Sequence, residues 1–286
     1  MLARMSIHRV AALVLTIACS LPHAMQAQEP FRFKLQKGEK IVYNVEQEST
    51  VLMQNGKEKS SVASSTKFRQ AWNVTKAEPT GEVEMELTLE RIVVEETDPT
   101  GKQLKFDSDA PNGAHPALKE QLGALIGKPA VRVRMTTAGD VKSFENLTNQ
   151  KSMSRELPFL ISVSGQPVKV GLTWDRAVDL SLTDAQGKAA NFAAIQTCKV
   201  EAVDAKEIIV AVDTKLKDTN LKVEDRSALA PFQPKGQIKL DPALGRLTSA
   251  SLQVDQKFQD LDGPDSSYHY TSKFTAKLIE PDKSNP

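Results

Sequence analysis

Along most of this chain apolar and polar residues alternate with a period of two. Val83, Met85, Leu87 and Leu89 alternate with Glu82, Glu84, Glu86, Thr88 and Glu90. Val168, Val170, Leu172, Trp174, Val178, Leu180 and Leu182 hold one parity, broken by Arg176. Tyr268, Tyr270, Phe274, Ala276 and Leu278 oppose His269, Thr271, Lys273, Thr275 and Lys277. Val62, Thr66, Phe68, Trp72 and Val74 share a face, as do Val131, Val133 and Met135 against Arg132 and Arg134. A strand sends successive side chains to opposite faces, so this pattern predicts strands with one buried and one wet face. Clean alternation points to antiparallel sheet, because parallel strands are apolar on both faces.

Turn residues separate these runs at hairpin spacing: Asn55-Gly56, Pro79-Thr80-Gly81, Asp98-Pro99-Thr100-Gly101, Ala138-Gly139-Asp140, Gln186-Gly187 and Leu244-Gly245. Short connections between neighbouring runs predict a meander. Helical spacing is confined to two places. Residues 116–126 put Leu118, Leu122, Leu125 and Ile126 on one face, with Pro116 suited to the first turn and Gly127 to the end. Residues 147–157 are a weaker helix stopped by Pro158, and 159–165 fit either helix or strand. Residues 225–236 read as a longer loop.

The order of signals in 38–145 is echoed in 171–258. Trp72-x-Val74 corresponds to Cys198-x-Val200, and Leu104-Lys-Phe106-Asp107 to Ile238-Lys-Leu240-Asp241. The helix at 116–126 is expected in the first copy alone. The fold class expected is therefore mainly β: curved antiparallel sheets, half-barrel or barrel-like, in two similar meander halves with one or two covering helices. The halves are 28–165 and 166–280, with 281–286 as a flexible tail. Such sheets are either filled by side chains or hold an apolar ligand. Should a cavity exist, its first lining candidates are Tyr43, Phe68, Trp72, Trp174, Tyr268, Tyr270 and Phe274. Trp72 and Trp174 equally suit core anchors.

The amino terminus adds an address. Arg4 and Arg9 precede the apolar run 10–18, and Pro22 and small residues follow, as in a secretory signal peptide spanning 1–27. The run is too short to span a bilayer, which takes about 20 residues, and the mature chain offers no transmembrane segment. The expected location is secreted or periplasmic. The string LTIAC at 15–19 also resembles a lipoprotein processing site, and lipidation of Cys19 would tether the chain to a membrane. Residues 1–27 carry two of the 37 basic residues and none of the 36 acids. The remainder is nearly neutral and gives no reason to invoke nucleic acid. Two of the four His and one of the two Cys also leave with the signal, so Cys198 has no partner for an intrachain disulfide.

Chemistry-bearing motifs are absent. His115 and His269 have no metal-ligand spacing, no G-x-S-x-G occurs, and no glycine-rich phosphate loop occurs. No cofactor, metal or catalytic residue is therefore assigned. Glu82, Glu84, Glu86 and Glu90 read as a solvated strand face. The loop Asp260-Leu261-Asp262-Gly263-Pro264-Asp265 gathers three acids without EF-hand spacing and reads as a turn, with a weak calcium site as the alternative.

A signal segment followed by KGEKIVYNV (37–45), a Trp or Cys strand, a helix beginning near PALK (116–119), the turn TTAGDVKSF (136–144) and GLTWD (171–175) resembles a family of secreted bacterial proteins of unknown function. Its wider relatives are similar to periplasmic lipoprotein carriers of the LolA/LolB type. The resemblance covers most of residues 31–280. It implies a curved antiparallel sheet that cradles acyl chains, and it carries no functional residues with it. Three functions are compatible with the residues: an exported, non-enzymatic protein binding an apolar or lipid-like ligand; a structural or protein-interaction module of the cell envelope; and, least favoured, a hydrolase of envelope polymers.

Overall fold

Twelve strands join in one open, curved, antiparallel sheet, and the two ends of its chain path meet in the middle. The computed structural model describes residues 29–148, 161–183 and 189–279. The signal segment, Cys19, nearly all of the 147–157 helix and the 281–286 tail lie outside the described residues. The strands are β1 (Lys40–Asn55), β2 (Glu58–Ala77), β3 (Val83–Thr97), β4 (Gln103–Asp107), β5 (Pro129–Met135), β6 (Val141–Asn146), β7 (Thr173–Thr183), β8 (Ala189–Val203), β9 (Ile208–Leu216), β10 (Lys235–Asp241), β11 (Arg246–Gln259) and β12 (Ser266–Ile279). They lie in the order β6-β5-β3-β2-β1-β12-β11-β10-β9-β8-β7. The chain runs outward from β1 to β6, restarts at the far edge with β7, and returns until β12 pairs with β1 over Val42–Asn55.

Strand β3 is long enough to take two partners on one edge. Its first half pairs with β5 and its second half with β4. Between those halves Glu90 is an extra residue, since Gln70 faces Leu89 while Arg69 faces Arg91. A bulge of this kind shifts side-chain parity by one. Leu87 and Leu89 therefore share a face with Ile92 and Val94, although their numbers differ in parity, and all four are buried.

One face of the sheet, here called inner, carries the apolar residues. Its main core takes Ile41, Tyr43, Trp72, Met85 and Val131 from β1, β2, β3 and β5, and Cys198, Val210, Ile238, Leu252 and Phe274 from β8 to β12. One core thus crosses the 165/166 boundary. Such burial contributes roughly 1.5–3 kcal/mol per large apolar side chain.

Two short helices cover the rest of that face. Helix α1 (Pro116–Gly123) and the turn after it lay Leu118 and Leu125 over Leu89, Ile92, Val94 and Phe106. Helix α2 (Val223–Ala228) leads into a 3₁₀ turn (Ala230–Phe232), where the loop 225–236 was expected. Its Glu224 and Asp225 sit in the first turn, where acids suit the helix dipole, and Pro231 follows its end. Leu229 then packs on Val178, Leu180 and Ala194, while Ala230 packs with Val254, Phe258 and Tyr270. A covering helix therefore precedes β10 as another precedes β5, and the first half is not alone in having one. The alternation expected from Val168 also needs correction. Strand β7 begins at Thr173, after a turn at Gly171, and Val170 is 63% exposed.

Candidate functional site

The lower end of the inner face is closed by chain that belongs to no strand. Residues 29–38 form an extended strap that turns Phe31, Phe33 and Leu35 toward the main core and leaves Arg32, Lys34 and Gln36 exposed or partly so. The strap is tied to two turns. The Phe33 amide donates to the Thr137 carbonyl (2.7 Å) between β5 and β6, and the Lys34 amide to the Gly245 carbonyl (2.9 Å) between β10 and β11. Lys34 Nζ adds bonds to the carbonyls of Pro242 and Ala243. Beside it, Ile161 and Val163 also enter the core, with the Val163 amide bonded to the Ala138 carbonyl. Sequence reading passed over the strap, although FRFKLQ at 31–36 shows the same two-residue alternation as the strands.

Beneath the strap is an apolar cavity of about 40 Å³, lined by Phe33, Leu35, Ile41, Tyr43, Trp72, Met85, Met135, Ile161, Arg246 and Leu247. Small-molecule pockets hold roughly 300–1,000 Å³, so this space is closed to an acyl chain while the strap is seated. Two polar contacts rim it. The Tyr43 hydroxyl donates to the Leu247 carbonyl (2.8 Å), and the Arg246 guanidinium meets Glu39 at 2.7 Å. Burial pushes the Tyr43 phenol above its ordinary value despite the nearby Arg246 charge.

The seven candidate residues all lie on the inner face, in two separate groups. Tyr43 and Trp72 line the small cavity. Phe274 is buried in the main core, and Trp174 packs partly buried against it, its indole N–H donating to the Ser162 carbonyl (2.9 Å). Phe68 bridges the main core and the cluster under α1. Tyr268 and Tyr270 sit at the other end, with Phe258, Val254 and Ala230 under the α2 turn. Between Phe68 and Trp72 lies Gln70, buried and opposite Tyr43; the Gln70 Nε2 has no hydrogen-bond partner among the described residues.

On the outer face the glutamates are paired. Glu82 meets Arg134, Glu84 meets Lys76, Glu86 meets Arg132, and Glu90 meets both Lys40 (2.6 Å) and Arg69 (2.9 Å). Above them a polar groove of about 830 Å³ runs along β1, β2 and β3, between Glu46 and Glu48 on one side and Arg91 and Glu95 on the other, with Lys67 and Arg69 between.

The remaining candidates carry little chemistry. Cys198 is fully buried, and burial pushes its thiol up to about 12. His269 is on the outer face, bonded to Asp255 at 2.8 Å, and His115 is the N-cap residue of α1 with no side-chain cap bond. In the 260–265 loop the Ser266 hydroxyl donates to the Gly263 carbonyl and accepts from the Asp262 amide. Among the described residues no group of three or more His, Cys, Asp or Glu is placed to hold a metal ion. No helix among them is long and apolar enough to cross a membrane.

No family model matches the chain, and no curated protein is significantly similar to it. Solved structures similar to it include lipovitellin, described with its lipid–protein interactions, at 12% identity and a TM-score of 0.44 over 88% of this chain. This chain spans 27% of that lipovitellin chain. DynF of the dynemicin biosynthesis pathway of Micromonospora chersina has 9% identity and a TM-score of 0.22, over 93% of this chain and 96% of its own. An outer membrane lipoprotein-sorting protein domain from Vibrio parahaemolyticus has 9% identity and a TM-score of 0.15, over 85% of this chain and 88% of its own.

Proposed function

We propose that this is an exported, non-enzymatic β protein that binds an apolar or lipid-like ligand on the inner face of its sheet. The observation that carries the reading is the cover of that face. Its apolar residues are sheltered by two short helices and a strap, none of them part of the strand ladder. Such covers separate from a sheet at lower cost than a strand, which would lose a row of backbone hydrogen bonds. Export follows from the reading of residues 1–27, and a lipid anchor at Cys19 would hold the same sheet at a membrane surface. Extraction and mass spectrometry of protein purified from its own host tests the reading. A stoichiometric lipid is the expected result; a protein free of lipid that also takes up no added fatty acid would overturn it.

The outer groove favours a second reading, as an interaction module of the cell envelope. Its walls hold charges of both signs in about 830 Å³, a surface for a polar segment of another protein rather than for a lipid. Reversing Lys67 and Arg69 to Glu would abolish capture of an envelope partner under this reading, and would leave fatty-acid uptake unchanged under the first.

A further inference from the structure

We propose that the strap is a built-in plug, and that the seat of Phe31, Phe33 and Leu35 is the binding site for an unbranched apolar chain. The proposal rests on the lipid-binding reading above and names its site and its entry.

The strap copies what a ligand would do. Phe31 is 5% exposed and stacks edge-on against Phe33 with ring centroids 5.3 Å apart. Phe33 and Leu35 cover Ile41, Tyr43, Trp72 and Met85, so that only about 40 Å³ stays empty. Withdrawing the strap would remove two of the walls of this space, Phe33 and Leu35, and enlarge it toward the roughly 300–1,000 Å³ of small-molecule pockets. The exposed floor would be aliphatic and aromatic, with the Tyr43 hydroxyl and Arg246 at one rim. A methylene chain suits that floor because its burial restores the apolar contact area the strap gives up.

The attachment of the strap permits the exchange. Strand β1, directly after it, bonds to a neighbour along both edges. The strap's inward-facing stretch has two backbone hydrogen bonds, one to each of two separate turns. Lys34 Nζ adds two bonds at the exposed surface, so the strap's buried hold is that of the same three side chains that a ligand would replace. Ligand and strap compete for one seat, so the apparent affinity is the intrinsic affinity multiplied by the fraction of molecules in which the strap is unseated.

One glycine gives a handle on this competition. Gly245 lies against the strap, and a Cβ built there falls 2.7 Å from the Lys34 amide nitrogen and 2.5 Å from its Cγ. Gly245→Ala must push the strap outward. Gly56 has nearly the same positive φ, 58° against 60°, and nothing within 4 Å of its Cβ position. Gly56→Ala therefore puts an alanine at a similar positive φ without touching the strap. Phe33→Ala shortens the plug by a second route that keeps every glycine.

The experiment is titration of each protein with the fluorescent fatty acid cis-parinaric acid, with amide hydrogen exchange read at Phe33 and Lys34. Gly245→Ala and Phe33→Ala should bind about tenfold more tightly than the native chain, with Gly56→Ala unchanged. Ligand added to the native chain should speed exchange at both amides. Binding that is equal in all four proteins, with exchange unaltered, would overturn the plug while leaving lipid binding in place. Absence of binding in all four, each shown folded by its melting transition, would overturn both.

Discussion

Tyr43 on β1 donates its hydroxyl proton to the carbonyl of Leu247 on β11, 204 residues away and two strands across the sheet. The bond spans β12, the last strand, and joins the first meander to the second. It is buried, so the carbonyl has no ready replacement donor. Tyr43→Phe keeps the ring and removes the bond. The expected loss is about 1–2 kcal/mol in urea unfolding, because a buried carbonyl left without its donor costs more than the bond is worth in water. An unchanged midpoint would mean that water reaches Leu247. An unchanged m-value is expected, since the fold and the surface exposed on unfolding stay the same.

Cys198 offers a probe of global opening. It is fully buried on β8, opposite Trp174 and Val212. Burial favours the neutral thiol and pushes it up to about 12, so thiolate is scarce at pH 8. Alkylation at pH 8 should therefore be slow in the folded chain and should follow the unfolding transition in denaturant. Rapid reaction with the native protein would show that the edge strand β7 and its neighbour β8 open locally.

Gln70 is the weak point of the inner face. It is 5% exposed between the cavity under the strap and the cluster under α1, and its Nε2 meets no acceptor among the described residues. A buried amide without a partner carries an uncompensated desolvation cost. Gln70→Met keeps the length and removes that cost. The expected result is a gain of about 1 kcal/mol, seen as a higher melting temperature. A loss would show that the amide makes a bond in solution that the folded chain depends on.

The parity of side chains was legible in the sequence, and what was not legible is long-range order. The seven aromatic candidates, named for a possible cavity, all lie on the inner face. They divide between the main core and the α2 turn because Tyr268 and Tyr270 sit far up β12, where Val51 and Met53 of the β1 tip face them. Nothing in the local pattern says that β12 pairs with β1. The bulge at Glu90 was equally hidden, since Leu89 and Ile92 look like a broken alternation until Arg69 and Gln70 are seen opposite them. Helix α2 escaped because Ala228, Leu229 and Ala230 are too few apolar residues to show a period. The strap escaped for the opposite reason. Its alternation reads as a strand, yet it has no ladder, and that lack is what makes it a candidate for movement.

The outer face should make its contribution through pH. Glu90 sits at the bulge, 2.6 Å from Lys40 and 2.9 Å from Arg69. Burial alone would raise its carboxyl, but the bonds and charges of Lys40 and Arg69 outweigh that and hold it below its ordinary value of 4.5. A carboxylate lowered in the folded state adds stability that is fully present above its unfolded value and is lost as pH falls through its folded value. Glu90→Gln should therefore cost about 0.2–1 kcal/mol at pH 7, the range measured for surface ion pairs. The two proteins should converge in stability as pH falls below 4.5, because protonation removes from the native chain what the substitution has already removed. High salt should narrow the gap at pH 7 by screening the same charges. Melting curves of both proteins from pH 3 to pH 7 check this. A constant difference across that range would trace the loss to packing at the bulge instead of to charge.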